Sequence, residues 1–224
     1  AKALEINRSI INNQLSREGR PKISFGHLIT WAIIKSLSKH PRMNASFVPA
    51  HDGSAASLRT YEHVSLGVAV DIVRRDGQRT LMVPVLKDID TKTFAEFIAA
   101  YDQLIAKVRE NRATVDDFQG ASVSVTNPGT IGTEHSIPRL MNGQGAIIGV
   151  GAIGYPAEFG AADPRTLGEL GISKTVTLTS TYDHRIIQGA ESGQFLADAA
   201  ALLEGKENFY QEIFDSLGVA YPPA

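Results

Sequence analysis

Ser180-Thr181-Tyr182-Asp183-His184-Arg185-Ile186-Ile187-Gln188-Gly189 is the stretch on which the fold turns. It places a histidine where a regular strand stops and a helix is about to begin. Upstream, Lys174 to Tyr182 alternates, with Thr175, Thr177, Thr179 and Thr181 on one face and Val176, Leu178, Ser180 and Tyr182 on the other. That period of two is the signature of a strand, and the threonine row reads as β propensity on a polar face. Downstream, a helix is expected from about Ala190 to Leu203 and a last one from Asn208 to Leu217. Strand ends that feed a turn are where α/β folds hold reactive side chains, because the scaffold fixes them and the loop leaves them reachable. A lone histidine is nevertheless more often structural than catalytic, so its surroundings decide.

Toward the N-terminus, helical and strand-like runs interleave. Leu4, Ile6, Ile10, Ile11 and Leu15 form a helical stripe ended by Gly19 and Pro21. Ser24 is placed to cap a second helix whose face is Phe25, Leu28, Ile29, Ala32, Ile33 and Leu37, closed by His40-Pro41. Residues 49–58 read as a turn-rich loop. Val64 to Val73 and Thr80 to Leu86 predict a hairpin turning at Arg75-Asp76-Gly77. Thr93 and Glu96 form a capping box before a helix with Phe94, Phe97, Ile98, Tyr101, Leu104, Ile105 and Val108 on one face. Ser122 to Thr126 and Ala146 to Ala152 are strands, and 155–173 is an irregular excursion. The mixture predicts an α/β fold with a mixed sheet.

The 224 residues fit one domain spanning 1–224, with 43% hydrophobic and 21% charged residues. A net charge of −2 leaves no electrostatic footprint for nucleic acid or an anionic membrane. The absence of cysteine excludes disulfides, thiolate metal sites and a cysteine nucleophile, and is compatible with a reducing cytoplasm. The least polar run, Gly145 to Gly154, is far too short for a membrane span. No secretory signal is visible, and a start at Ala1-Lys2 without Met reads as a piece of a longer chain.

Several motifs fail their context. Gly149-Val150-Gly151-Ala152-Ile153-Gly154 matches the dinucleotide fingerprint, but Tyr155-Pro156 and a loop follow where a helix is required. Close backbone packing is the better account of those glycines. There is no G-x-S-x-G elbow, phosphate loop or H-E-x-x-H helix, and His27, His40, His51, His63 and His135 lack ligand spacing, so no metal site is expected.

Asp183-His184-Arg185 followed by Ile186-Ile187, Gln188 and Gly189 resembles the D-H-R-x-x-D-G signature of the acyltransferase component of 2-oxoacid dehydrogenases. The resemblance spans nearly the whole chain. It includes Ile23-Ser24-Phe25 through His40-Pro41 with Asn44-Ala45-Ser46, the hairpin segments Val68-Ala69-Val70 and Leu81 to Val85, and the strands Ser122 to Asn127 and Gly145 to Gly151. It implies a two-layer, mixed-sheet sandwich of the chloramphenicol acetyltransferase-like type. A narrower likeness rests on Asn127-Pro128-Gly129-Thr130-Ile131-Gly132-Thr133, Tyr155-Pro156-Ala157-Glu158-Phe159 and Tyr182 through Gly193. These resemble the succinyltransferase-like part of fused actinobacterial 2-oxoglutarate dehydrogenases of the tricarboxylic acid cycle. That likeness also accounts for the abrupt Tyr221-Pro222-Pro223-Ala224 end.

What the resemblance implies is specific. Coenzyme A is a substrate, and the coenzyme contacts are not identified. The lipoyl group comes from another protein, since no lipoyl segment lies in these residues. Thiamine diphosphate and magnesium belong to a fused decarboxylase domain. His184 is the base for the coenzyme thiol, whose pKa of about 8.5 calls for a base near neutrality. Thr126 aligns with the hydroxyl that donates to the oxyanion, Ser124 is a reserve on the same strand face, and Asn127 accompanies them. The family's site lies between subunits of a homotrimer, histidine and hydroxyl coming from different chains. Gln188 departs from the family's Asp, which forms an ion pair with an arginine; a neutral amide is expected to hold the turn by hydrogen bonds instead. Two alternatives stand beside this: an acyltransferase with a different acceptor, and a non-catalytic trimeric core.

Overall fold

In the computed structural model, which describes residues 1–73 and 77–221, helices and strands alternate in mixed order. They are α1 (Lys2–Arg17), α2 (Phe25–Leu37), β1 (Ala45–Val48), β2 (Ser57–Thr60), β3 (Leu66–Val73), β4 (Arg79–Met82), β5 (Val85–Leu86), α3 (Phe94–Arg109), β6 (Val123–Thr126), β7 (Ala146–Val150), α4 (Pro164–Glu169), β8 (Leu178–Tyr182), α5 (Gly189–Leu203) and α6 (Phe209–Leu217). The expected caps are in place. The Ser24 hydroxyl accepts from the His27 amide and the His27 ring accepts from the Ser24 amide, starting α2. Thr93 and Glu96 do the same for α3.

The main sheet runs β4-β3-β6-β7-β8, with β5 also beside β3. β3, β6 and β7 are parallel, whereas β4, β5 and β8 run against their neighbours. Leu66 and Val68 of β3, Val123 and Val125 of β6, and Ala146, Ile148 and Val150 of β7 share one core with α1, α2, α3, α5 and α6. Phe97, Phe195 and Phe214 are fully enclosed there, each burial being worth about 1.5–3 kcal/mol. The two-layer expectation is met.

The other sheet face carries Gly67, Ser124, Thr126, Gly149 and Thr179, because strand residues alternate. Main chain lies close against it. A Cβ at Gly151 would overlap the Glu134 carbonyl, and one at Gly149 would crowd Thr179 Oγ1 and Ser136 Oγ. Two glycines of the failed fingerprint therefore serve close packing, and no helix opens on them.

Four local expectations are corrected. Part of the presumed loop, Ser57–Thr60, is β2, paired with β1; every residue of it is exposed, so it carries no burial pattern to read. The second hairpin strand is broken at Val83-Pro84, where Pro84 has no N–H to donate and its carbonyl accepts from Val68. The β7–β8 ladder ends at Val150 because the Ala152 amide turns to the Thr133 carbonyl; beyond it Gly151 donates to Thr177 and Gly154 bridges Thr175. The excursion at 155–173 contains α4, capped by Asp163 on the Thr166 amide. Arg75 and Asp76 of the expected turn lie outside the described residues, as do Pro222 to Ala224.

Candidate active site

The strand register decides where the candidate residues sit. Thr126 is level with Gly149, and Gly149 is level with Thr179. β8 then runs back along the sheet, and the Asp183 amide still follows the ladder by donating to Gly145. His184 stands five residues past that row and two strands away. At about 3.3 Å per residue and 4.8 Å per strand, the two backbones are roughly 19 Å apart. One copy of the chain cannot bring the His184 ring to the Thr126 hydroxyl.

The Thr126 end is concave. Thr126 closes β6 and is partly exposed, and Asn127 leads into a 3₁₀ turn over Pro128–Ile131 that ends at Gly132 with φ 88°. Both residues line a groove of about 1120 Å³ that runs past Phe25, His27 and Tyr101 and includes Arg8 and Arg109. His27 is buried, its Nε2 3.2 Å from Asp102 Oδ1. Burial pushes the His27 pKa below its ordinary value, against the opposing pull of Asp102. Burial also raises the Tyr101 phenol, with the Asp102 charge adding to it. The wall therefore combines aromatic rings and a buried histidine with the Asp102 carboxylate, and arginines lie on its flanks.

The His184 end lies at the opposite end of the sheet, where β8 runs out. His184 is exposed, its ring lies 5.5 Å from the Tyr182 ring, and no group among the described residues hydrogen-bonds it. Asp183 and Arg185 clip the turn shut around it. The Arg185 amide donates to Asp183 Oδ1 at 3.1 Å, and its guanidinium reaches both carboxylate oxygens while stacking 3.7 Å over Phe47. The guanidinium holds the Asp183 carboxyl below the usual range. Ile187, fully buried, anchors the turn from below.

The remaining candidates fare differently. Ser124 points the same way as Thr126 but is fully buried, its hydroxyl facing Gly67 without a hydrogen-bond partner among the described residues. It cannot reach a substrate without rearrangement. Gln188 is the N-cap residue of α5, exposed, and makes no side-chain cap bond. The expectation that it holds the turn is corrected: the Asp183–Arg185 pair does so. Arg8 and Arg109 carry no signal in the sequence, and Tyr101 is expected there only as part of the apolar face of α3. No cluster of three metal-ligating side chains occurs among the described residues, and no helix among them is long and apolar enough to cross a membrane.

Comparison with known proteins adds to this geometry. Residues 1–210 match the 2-oxoacid dehydrogenases acyltransferase (catalytic domain) family. The chain is 51% identical over 223 residues to the multifunctional 2-oxoglutarate metabolism enzyme of Mycobacterium sp. (strain JLS), covering 100% of this chain and 17% of that one. It is 49% identical over 217 residues to the 2-oxoglutarate dehydrogenase E1/E2 component of Corynebacterium glutamicum, covering 97% and 18%. This chain thus spans under a fifth of the length of those relatives. Among solved structures, dihydrolipoamide acetyltransferase of Azotobacter vinelandii superposes with a TM-score of 0.70 at 25% identity, covering 96% of this chain and 79% of that one. That enzyme was studied for the catalytic role of a serine, a histidine and an asparagine, the last two four residues apart.

Proposed function

This chain belongs to the 2-oxoacid dehydrogenase acyltransferase family as a catalytic domain, and we propose that it moves a succinyl group from S-succinyldihydrolipoamide to coenzyme A. The acyl group follows from the relatives that match it end to end, which are named for 2-oxoglutarate. Oxidative decarboxylation of that acid leaves a four-carbon acyl group ending in a carboxylate.

The observation that carries the reading is the separation of Thr126 and His184 to opposite ends of the sheet, each partly or fully exposed. Two copies set end to edge would bring the imidazole of one to the groove of the other, and a closed trimer repeats that contact three times. In such a site His184 takes the coenzyme thiol proton as sulfur attacks the thioester carbonyl. Thr126 donates to the oxyanion that forms. Collapse breaks the bond to the dihydrolipoamide sulfur, and His184 returns the proton to it. Gln188 lies four residues after His184, the interval between the histidine and asparagine studied in the Azotobacter enzyme. It supplies the same side-chain amide, placed to act across the interface rather than within its own turn.

The lipoyl arm would come from another component of the complex. A thiamine diphosphate- and magnesium-dependent decarboxylase would share the polypeptide. A cytoplasmic site of action belongs to the same proposal. The test is a transfer assay with succinyl-CoA or acetyl-CoA and free dihydrolipoamide. Succinyl transfer should be the faster, and equal or faster acetyl transfer would overturn the assignment of the acyl group.

A further inference from the structure

We infer that His27 is a positioning residue for the proposed transfer. Its neutral ring, protonated on Nε2 alone, pins the first turn of α2 against Asn127, beside the Thr126 hydroxyl. The inference rests on the proposed acyl transfer for the reaction it serves and on the geometry of the cap for its residues.

At the third position of a helix a capping box ordinarily carries Glu or Gln, whose side chain reaches back to the N-cap amide. Here a histidine does so. The Ser24 amide is a donor, so the His27 Nδ1 that meets it at 3.3 Å must be the bare, accepting nitrogen. The ring proton therefore sits on Nε2, 3.2 Å from Asp102 Oδ1 on α3, and is donated to it. The tautomer is thus fixed from both sides. The Ser24 hydroxyl closes the box by accepting from the His27 amide at 3.1 Å.

The turn held in this way touches the site. A Cβ on Gly26 would stand 3.7 Å from Asn127 Nδ2, so the α2 backbone lies against the side chain next in sequence to Thr126. Ser24, Gly26, His27, Thr126 and Asn127 line the same groove. A second proton on the ring would undo the arrangement. It would occupy Nδ1, point at the Ser24 N–H, and put a cation at the positive end of a helix. From α3 the ring is faced by Asp102, which favours the charged form, and by the Phe97 and Tyr101 rings at 6.3 and 4.9 Å. Arg109 of α3 acts on Tyr101, and Arg8 of α1 lies over the Phe25 ring two residues away. Asp71 and Arg79, on the strands that also line the groove, pair with each other. Burial outweighs the pull of Asp102, so the ring stays neutral below its ordinary pKa.

The experiment compares His27→Ala, His27→Gln and Asp102→Asn in the intact polypeptide. Deuteration of the imidazole C2–H, read by mass spectrometry, follows protonation of His27. Amide exchange over residues 22–28 follows the cap, and transfer assays follow kcat and KM against pH. His27→Ala should lower kcat at neutral pH by roughly tenfold, through a displaced hydroxyl, and leave KM within about threefold. His27→Gln supplies a capping side chain that does not titrate and should recover most of that loss. On acidification the proposed base His184 costs activity in every variant. The unaltered protein should nevertheless fall more steeply than His27→Gln once His27 is protonated, as amide protection at Ser24 is lost. In Asp102→Asn, which withdraws the charge favouring the protonated ring, both changes should move to lower pH. Equal kcat in folded His27→Ala and the unaltered protein would overturn the inference, as would coinciding acid limbs in the unaltered protein and His27→Gln. Melting temperatures lowered alike in both His27 variants, with kcat values that do not differ, would mean a merely structural ring and also overturn it. If protonation and exchange behaved as described but the unaltered protein transferred no acyl group, the cap would stand, and the proposed function and the role of His27 in it would fall.

Discussion

The two ends of the sheet are built on opposite principles. At the Thr126 end a partly exposed hydroxyl opens onto a groove with a buried histidine, aromatic walls and arginines along its sides. At the His184 end an exposed imidazole stands beside the Tyr182 ring on a turn closed by the Asp183–Arg185 pair. One end has the groove and the hydroxyl, the other the exposed imidazole. The difference teaches that the antiparallel entry of β8 is what separates the two ends, and under the proposed transfer neither would suffice by itself.

The largest expected effect comes from His184→Ala, which should lower kcat about 100- to 10,000-fold, the usual range for a positioned general base. The residue is exposed, so the melting curve should not move. Turnover at the normal rate would take His184 out of the chemistry. Thr126→Ala should reduce kcat roughly 100-fold with little change in KM, because its bond forms chiefly in the transition state. A KM effect alone would make it a ground-state contact.

Mixing those two inactive chains bears on the comparison directly. If each site takes its base from one copy and its hydroxyl from the next, random assembly leaves about a quarter of the sites intact. A mixture no more active than its components would place both residues in one chain's site and contradict the register argument.

The two ends should also part company on acidification. Burial lowers the folded-state pKa of His27, so the unfolded chain binds more protons below about 6.5. Its stabilising contribution is present above that value and is lost as pH falls toward the lowered folded value. Asp183, depressed by Arg185, keeps its contribution down to its unfolded value of about 3.9 and loses it only below. Hydrogen-exchange protection near pH 5, corrected for the intrinsic rate, should therefore fall around α2 and α3 before it falls in the 183–187 turn; the reverse order would contradict these shifts. The smallest effect belongs to Gln188→Ala. An exposed side chain without a hydrogen bond among the described residues should change stability by no more than about 0.5 kcal/mol. A kcat loss of roughly tenfold would fit an amide acting across the interface. A clear drop in melting temperature would restore the turn-holding role.

Much of this fold was legible because its signals are local. The caps at Ser24 and Thr93 depend on residues three apart, and the stripes of α1, α2 and α3 follow one helical period. Strand β2 was hidden because its pairing with β1 leaves all four residues in solvent, where alternation has nothing to sort. The Asp183–Arg185 clip joins residues two apart, yet it forms only because the turn folds the guanidinium back onto the carboxylate, which the run of side chains does not encode. Least legible was the distance between Thr126 and His184. It follows from the Thr126–Gly149 and Gly149–Thr179 register, which no run of neighbouring residues encodes.

The seating of the 133–136 segment on the sheet bears on how the sequence can drift. The Thr133 carbonyl takes the Ala152 amide, the Ser136 carbonyl takes the Thr179 hydroxyl, and the Glu134 carbonyl fills the space a Cβ at Gly151 would need. All three contacts use the main chain of the loop, while the side chains of Glu134, His135 and Ile137 face solvent. Lineages can exchange those outward residues freely, provided the path of the backbone persists. The glycines beneath have no such latitude, so at this place natural variation should collect on the covering loop and spare the floor it rests on.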